Sequence, residues 1–207
     1  MPGQSGYWDR SAAKTFTHPL SDDFTAALEH SDRILDYGCG YGRSLRALAG
    51  LGFHNTVGVD FSREMVARGR RECPGLDLRH IDRPAIGEPD GSFDAAMILA
   101  VLTCIVDDDD QAAVLTEIRR LLRPGGLLFI SDMPLQEDAR NRARYDERTH
   151  GPYGVFDTGD GGIVRHHTDD HMQGWLSGFE PISRRRIRLT TMHGNPATGV
   201  HFLARRM

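Results

Sequence analysis

The sequence predicts a doubly wound α/β fold built on a mostly parallel sheet, and three stretches carry that prediction. Ile34-Leu35 runs into a glycine turn, Asp36-Tyr37-Gly38-Cys39-Gly40-Tyr41-Gly42, and leaves it as a helix from Arg43 with Leu45, Leu48, Ala49 and Leu51 on one face. Thr56-Val57-Gly58-Val59-Asp60 is a β-rich run ending on a carboxylate. Phe93-Asp94-Ala95-Ala96-Met97-Ile98-Leu99 is nearly all apolar, as a parallel strand is when helices cover both faces of its sheet. A chain of 207 residues suffices for one such domain with a sizeable core.

Taken in order, residues 1–30 read as an irregular arm followed by a helix. Ser21 is placed to cap that helix, with Phe24, Ala27 and Leu28 on its inner face. Tyr7, Trp8, Phe16 and His18-Pro19 are large groups in a polar context, fit either to pack the arm on the domain or to close it as a lid. Strand, glycine turn and helix then form a nucleotide cradle, with helix N–H groups available to a ligand. A dinucleotide fingerprint needs its third glycine at position 43, which is Arg43; here it comes early, at Gly42. Asp36, beside the turn, repels a pyrophosphate and suits a cationic ligand or an ammonium group. Asp60 lies about 24 residues beyond Asp36, the spacing of a ribose-binding acid at the end of a second parallel strand. Its two oxygens can accept both vicinal hydroxyls. Ser62 is the better helix cap, preceding Glu64-Met65-Val66-Ala67.

Leu76 to Ile81 reads as the third strand, ending at Asp82, and Pro84 to Ser92 as a loop. Leu99 and Ala100 end the fourth strand where doubly wound sheets bind ligands. Asp107 to Asp110 open a helix whose dipole favours them, with Val114, Leu115, Ile118, Leu121 and Leu122 inward. Pro124-Gly125-Gly126 stops it before a fifth strand, Leu127 to Ser131.

In family order and spacing, positions 30 to 132 resemble the class I S-adenosylmethionine-dependent methyltransferases. The resemblance is carried by Asp36-Tyr37-Gly38-Cys39-Gly40-Tyr41-Gly42, Val57 to Ser62, Ile81-Asp82, Phe93-Asp94 and Leu122-Arg123-Pro124-Gly125-Gly126. It implies a Rossmann-like, seven-stranded sheet with an antiparallel last strand, and S-adenosylmethionine as cofactor. Asp36, Gly38, Cys39, Gly40 and Asp60 would then line the cofactor site. Asp82 would accept the adenine amino group, with the backbone of Arg83 against the ring. Phe61 and Met65 would pack on adenine or ribose, although helical spacing suits Met65 to the core equally. Leu99 and Ala100 complete the set.

The last third departs from this core. Glu137 to His150 is a charge-rich helix candidate, and Tyr153 to Asp157 with Gly162 to His166 a hairpin. Thr168 reads as the N-cap of a helix through Trp175-Leu176 that stops at Gly178-Phe179-Glu180. Strands Ile187 to Met192 and Val200 to Ala204 close the chain. The chain therefore divides into an arm or lid (1–30), a cofactor-binding core (31–132), an acceptor-side cap (133–167) and a last helix with closing strands (168–207).

Methyl transfer from a sulfonium needs positioning in a dry pocket more than proton chemistry. Where a general base is needed, the candidates are His18, His166, His167 and His193, with Tyr7, Tyr145, Tyr153 and Asn195 as orienting groups. His167 and His18 rank first because they lie in the two segments expected to cover the pocket. His167 and His171 are split by the N-cap at Thr168, so no metal site is expected, and there is no G-x-S-x-G elbow. A formal net charge of −4 argues against nucleic-acid or anionic-membrane partners held by charge, and Arg184-Arg185-Arg186 reads as a solvated strand entry. Cys39, Cys73 and Cys104 form no paired spacing, no apolar run approaches membrane-spanning length, and Met1 to Ser5 lacks the apolar core of a signal peptide. With the resemblance, these features lead to the expectation of a cytoplasmic enzyme that methylates a small molecule. Two alternatives stay open: other S-adenosylmethionine chemistry, such as internal cyclisation or aminocarboxypropyl transfer, and a non-catalytic binding module.

Overall fold

The computed structural model describes residues 4–207; Met1 to Gly3, the start of the arm, lie outside the described residues. Its main sheet has seven strands in the order β3-β2-β1-β4-β5-β9-β8. The first five are β1 (Ile34–Tyr37), β2 (Thr56–Asp60), β3 (Asp77–His80), β4 (Phe93–Leu99) and β5 (Leu122–Asp132), and they pair in parallel. β9 (Pro196–Arg206) lies antiparallel between β5 and β8 (Phe179–Thr190), and so closes the sheet. A hairpin, β6 (Val155–Asp157) and β7 (Ile163–Arg165), stands apart from it.

Alternation along each strand divides the apolar side chains into two cores, one per face. Leu35, Tyr37, Val57, Val59, Ile98 and Ile130 face helix α5 (Asp108–Leu121) and helix α7 (Asp169–Gly174). Ile34, Ala95, Met97 and Phe129 face α2 (Asp22–Ala26), α3 (Arg43–Gly50) and α4 (Arg63–Glu72). Phe24 of α2 stacks on Phe129 with ring centroids 5.0 Å apart. Ser62 caps α4 by accepting from the Met65 N–H, and Asp107 caps α5 by accepting from those of Asp109 and Asp110.

Several expected boundaries move. The arm is not irregular throughout: Ser5–Arg10 form α1, held where Asp9 Oδ1 accepts from Ser62 Oγ at 2.7 Å and from the Glu64 N–H at 3.2 Å. α2 stops at Ala26, so Ala27 is exposed; α3 stops at Gly50, leaving Leu51 beyond it and 54% exposed. Leu122 belongs to β5 rather than to α5, because Leu122 pairs with Phe93 and Leu127 with Ala95. Pro124-Gly125-Gly126 is thus a bulge within the strand, not a turn ahead of it. α7 ends at Gly174, short of Trp175, and the closing strands reach back to Phe179 and Pro196. The charge-rich segment folds as α6 (Ala139–Glu147), capped by Asp138 and anchored by buried Asn141 and Tyr145. An isolated bridge between Pro134 and His167 joins the two ends of the segment that holds α6 and the hairpin. Among the described residues, no helix is long and apolar enough to cross a membrane.

Candidate active site

A cavity of about 460 Å3 opens at the carboxyl ends of β1, β2 and β4, where a doubly wound sheet leaves its crevice. Its floor is the glycine turn. Gly38 and Cys39 donate their N–H groups to the Val59 carbonyl at 2.8 and 3.0 Å, and Gly40 donates to Asp60 Oδ2 at 2.7 Å. These three N–H groups are therefore spent inside the protein rather than offered to a ligand. The turn offers instead a backbone surface without side chains. A Cβ at Gly40 would project toward Phe16 of the arm, 3.8 Å from its ring, across the space a ligand would enter. Asp60 is the keystone, since its Oδ1 also accepts from the Ser62 N–H at 2.7 Å. Burial raises its carboxyl above the usual range, against the two N–H groups that favour its charge.

Asp36, at 2% exposure, borders the same cavity, and its Oδ2 has no hydrogen-bond partner. Burial pushes its carboxyl up to about 7, with Arg43 opposing the rise and Asp60 adding to it. Arg43, held by a hydrogen bond to the His18 carbonyl, is itself lowered by burial. Ala100, at the end of β4, takes φ 55, an uncommon left-handed conformation for alanine that presents the next residue, Val101, to Gly38.

The roof comes from three segments. Trp8 and Phe16 of the arm lie edge to face at 6.1 Å, and Phe16 stacks on Tyr41 of the glycine turn at 5.8 Å. Arg68 of α4 backs this stack, its guanidinium 3.8 Å over the Tyr41 ring while it donates to the carbonyls of Ala12 and Lys14. Lys14 and Tyr7 of the arm, and His193 of the β8–β9 turn, all bind Asp160 of the cap hairpin. The arm is thus tied to both walls it spans.

Of the residues singled out from the sequence, Asp36, Gly38, Cys39, Gly40, Asp60, Phe61, Met65, Leu99 and Ala100 all border the cavity. Met65 does so while buried at 2% exposure, so it serves cavity and core together. Asp82 and Arg83 are exposed and lie outside the lining of the cavity. His18, His166, His193 and Asn195 line it. His167, placed first among the catalytic candidates, does not. Its ring is buried, bonded to Gln111 Nε2 at 2.8 Å and stacked on His171, with Trp175 edge-on. Tyr7, Tyr145 and Tyr153 also lie outside the lining, Tyr145 behind the wall as a partner of His166.

Burial lowers both His18 and His166 to about 3, so each is neutral and a weak proton acceptor at neutral pH. The reading from sequence missed Tyr41, Val101, Arg140 and Arg144 of the lining. Only the arginines had left a signal: on a helix, positions 140 and 144 share a face with each other and neighbour the anchors 141 and 145.

A family model for the methyltransferase domain matches residues 34–126. The chain is 36% identical over 118 residues to a demethylmenaquinone methyltransferase of Clavibacter sepedonicus, covering 56% of this chain and 46% of that protein. It is 29% identical over 157 residues to an O-methyltransferase of Penicillium expansum, covering 69% and 56% respectively. The chain thus spans about half the length of these curated relatives. A solved SAM-dependent methyltransferase of Methanosarcina mazei has the same architecture, with a TM-score of 0.84 and 26% identity over 91% of this chain and 98% of the other.

Proposed function

We propose, for a chain that belongs to the class I S-adenosylmethionine-dependent methyltransferase family, that its cavity binds S-adenosylmethionine and carries out methyl transfer to a small-molecule acceptor. The observation that carries the reading is the buried, unpartnered Asp36 Oδ2 at the edge of a cradle whose Gly38, Cys39 and Gly40 N–H groups are already spent. An orphaned carboxylate beside these spent donors disfavours a phosphate and fits a cationic ligand. Asp60 retains lone pairs for the ribose hydroxyls, and Phe61 and Met65 supply the apolar surface for the base. Bound there, S-adenosylmethionine supplies a methyl group activated by its positive sulfur.

The protein's own part is positioning and dryness. Trp8 and Phe16 cover the cradle, and Phe156, Val164 and Met133 wall the remaining space, so that donor and acceptor meet with little water between them. His18 and His166, both neutral, are poor general bases, which favours an acceptor that is already nucleophilic at neutral pH. The relative from Clavibacter sepedonicus is by name a methyltransferase of demethylmenaquinone, a small molecule, which supports an acceptor of that kind. We further read residues 31–132 as the donor half of the site and 133–167 as the acceptor-side cap. Three cysteines without disulfides are consistent with a cytoplasmic enzyme.

The test is calorimetric titration with S-adenosylmethionine and S-adenosylhomocysteine as a function of pH. The folded pKa of Asp36, about 7, lies above the unfolded value of about 3.9. The folded chain therefore binds the extra proton between about pH 4 and 7, and stability from this group falls as pH rises through that window. Affinity for a cation runs the other way, because it requires the ionised carboxylate. From pH 5.5 to 7.5, below the titration of the ligand's amine, affinity should rise about tenfold or more, and Asp36→Asn should flatten the rise. A pH-independent affinity in the native chain would remove Asp36 from the site; no heat with either ligand would remove the cofactor. His167→Ala, by contrast, should lower stability by about 2–3 kcal/mol, from the space left and the partner lost to Gln111, yet leave the S-adenosylhomocysteine affinity within about twofold. Thermal melts and the same titration check both parts.

A further inference from the structure

We propose that the acceptor is a small carboxylic acid with an apolar body, and that Arg140 and Arg144 of α6, together with His166, receive its carboxylate. This rests on the methyl-transfer reading above and names the substrate class of that site.

Three observations converge. First, among the described residues several guanidinium groups reach a carboxylate: Arg33 to Glu88, Arg120 to Glu117, Arg165 to Asp108, Arg184 and Arg186 to Asp169. Arg140 and Arg144 border the cavity, and neither has a carboxylate within salt-bridge distance. Asp138, which caps their helix, is committed to the Asn141 backbone N–H at 3.1 Å and its side-chain amide at 2.5 Å.

Second, Arg144 is held in place without being satisfied. Its Nη2 donates to Asn141 Oδ1 at 2.6 Å, and its guanidinium lies 4.2 Å over the Phe156 ring. Its Nε is buried with no partner. A planar fork, fixed on an aromatic face with an N–H left unmatched, is pre-organised for a planar anion. Burial and the neighbouring Arg140 both act against its charge, and an arriving carboxylate relieves that.

Third, His166 adds a donor to the same wall. Tyr145 Oη lies 2.5 Å from His166 Nδ1 and accepts from the Gln136 N–H at 3.1 Å. Tyr145 is fully buried, so its one proton goes to Nδ1, the only acceptor given to it. The neutral ring then carries its own proton on Nε2, and a histidine lining the cavity becomes a hydrogen-bond donor rather than a base. Two cations and one N–H form an anion-receiving wall, and Asp138, the acid that acts on both Arg144 and His166, is itself committed to Asn141. Trp8, Phe156, Val164 and Met133 nearby call for an apolar body behind the charge.

The test uses 4-fluorobenzoate and 4-fluorobenzamide, matched in shape and differing in charge, with fluorine NMR titrations on the free chain and on the chain saturated with S-adenosylhomocysteine. The acid should bind about tenfold more tightly than the amide to both forms. Arg140→Gln/Arg144→Gln should lose that preference, while the affinity for S-adenosylhomocysteine stays unchanged. Arg140→Gln alone, an exposed change that leaves the Phe156 stack intact, should weaken the acid by about threefold and guards against misfolding of the double variant. Equal binding of acid and amide overturns the proposal, as does a double variant that keeps the preference. Loss of S-adenosylhomocysteine from the double variant overturns it too, because the arginines would then hold the donor's own carboxylate. Displacement of the acid by an equal concentration of inorganic phosphate would reassign the wall to phosphate esters and overturn the carboxylate. A chain that binds the acid through these arginines but shows no affinity for S-adenosylhomocysteine supports the anion site and sinks the donor reading alone.

Discussion

Replacing Gly38 with alanine is expected to destabilise the fold by about 2–4 kcal/mol and to abolish measurable S-adenosylmethionine binding. Two costs add at this position. Gly38 sits at φ +81, where an L side chain is strained. A Cβ there would also lie 2.3 Å from Val101 Cγ2, 3.2 Å from Cγ1 and 3.3 Å from Cβ. It meets the whole isopropyl group, not the end of a flexible chain, and a β-branched residue has little rotamer freedom with which to retreat. Val101 cannot simply back away either, because Ala100 before it is already in the left-handed region and tied through its N–H to the Ser131 carbonyl at 2.8 Å. The strain therefore spreads into the end of β4 and the turn that Asp60 holds. Adding Val101→Ala should recover about half of the lost stability by removing the collision, while the φ cost stays. Thermal melts of the single and double variants with calorimetry decide it. A Gly38→Ala protein that melts and binds like the native chain would mean that the glycine turn is not under the constraint described.

The buried strands were legible because each carries its own pattern. Thr56 to Asp60 and Phe93 to Leu99 are apolar on both faces, and the structure keeps them at the predicted residues. β8 was half hidden for the opposite reason. From Glu180 to Thr190 it lies at the sheet edge with most side chains exposed, so its start is set by pairing with β9 and not by any apolar rhythm. α1 was invisible: six residues including Gly6 and Asp9 make a poor helix in isolation, and contacts to Ser62 and Glu64, more than fifty residues away, hold it in place. The Pro-Gly-Gly bulge in β5 shows the same limit, since a turn signal cannot tell a strand's beginning from an irregularity inside it.

The part of the cavity floored by the glycine turn was readable because its residues cluster in short motifs beside strand ends. The part walled by residues 133–166 was not, because it depends on how that segment folds back. His167 illustrates the difference. It precedes the N-cap of α7, and there Gln111, reached from α5, draws the ring inward and away from the cavity. His166, its chain neighbour, faces the other way, into the cavity, where Tyr145 holds it from behind. Adjacent residues on an extended segment point to opposite sides, so ranking histidines by segment alone could not separate them. Arg140 and Arg144 stood inside a charge-rich helix candidate; what sets them apart is their place on the cavity lining and the unpartnered Nε of Arg144, which only the fold shows.

Asp60→Ala is expected to weaken S-adenosylmethionine binding by about two to four orders of magnitude, the loss of two charge-assisted hydrogen bonds at about 1.5–3 kcal/mol each. The carboxylate has two separable duties. It holds the cradle, by accepting from Gly40 and Ser62 at 2.7 Å each, and it is proposed to accept the ribose hydroxyls through its remaining lone pairs. A loss of affinity alone does not separate the two. Comparing adenosine with 2′,3′-dideoxyadenosine does, because only the first can use the second duty. If the carboxylate serves the ribose, the native chain should prefer adenosine by about tenfold or more, and Asp60→Ala should bind the two ligands alike. If it serves only the turn, the variant should weaken both equally and keep whatever preference the native chain has. Asp60→Asn sharpens the contrast. One amide oxygen can still accept from Gly40, but the amide nitrogen then opposes the Ser62 N–H, and one ribose acceptor is lost. An intermediate affinity with a reduced adenosine preference is therefore expected. A variant whose preference matches the native chain would assign Asp60 to the architecture of the turn and leave the ribose to another group.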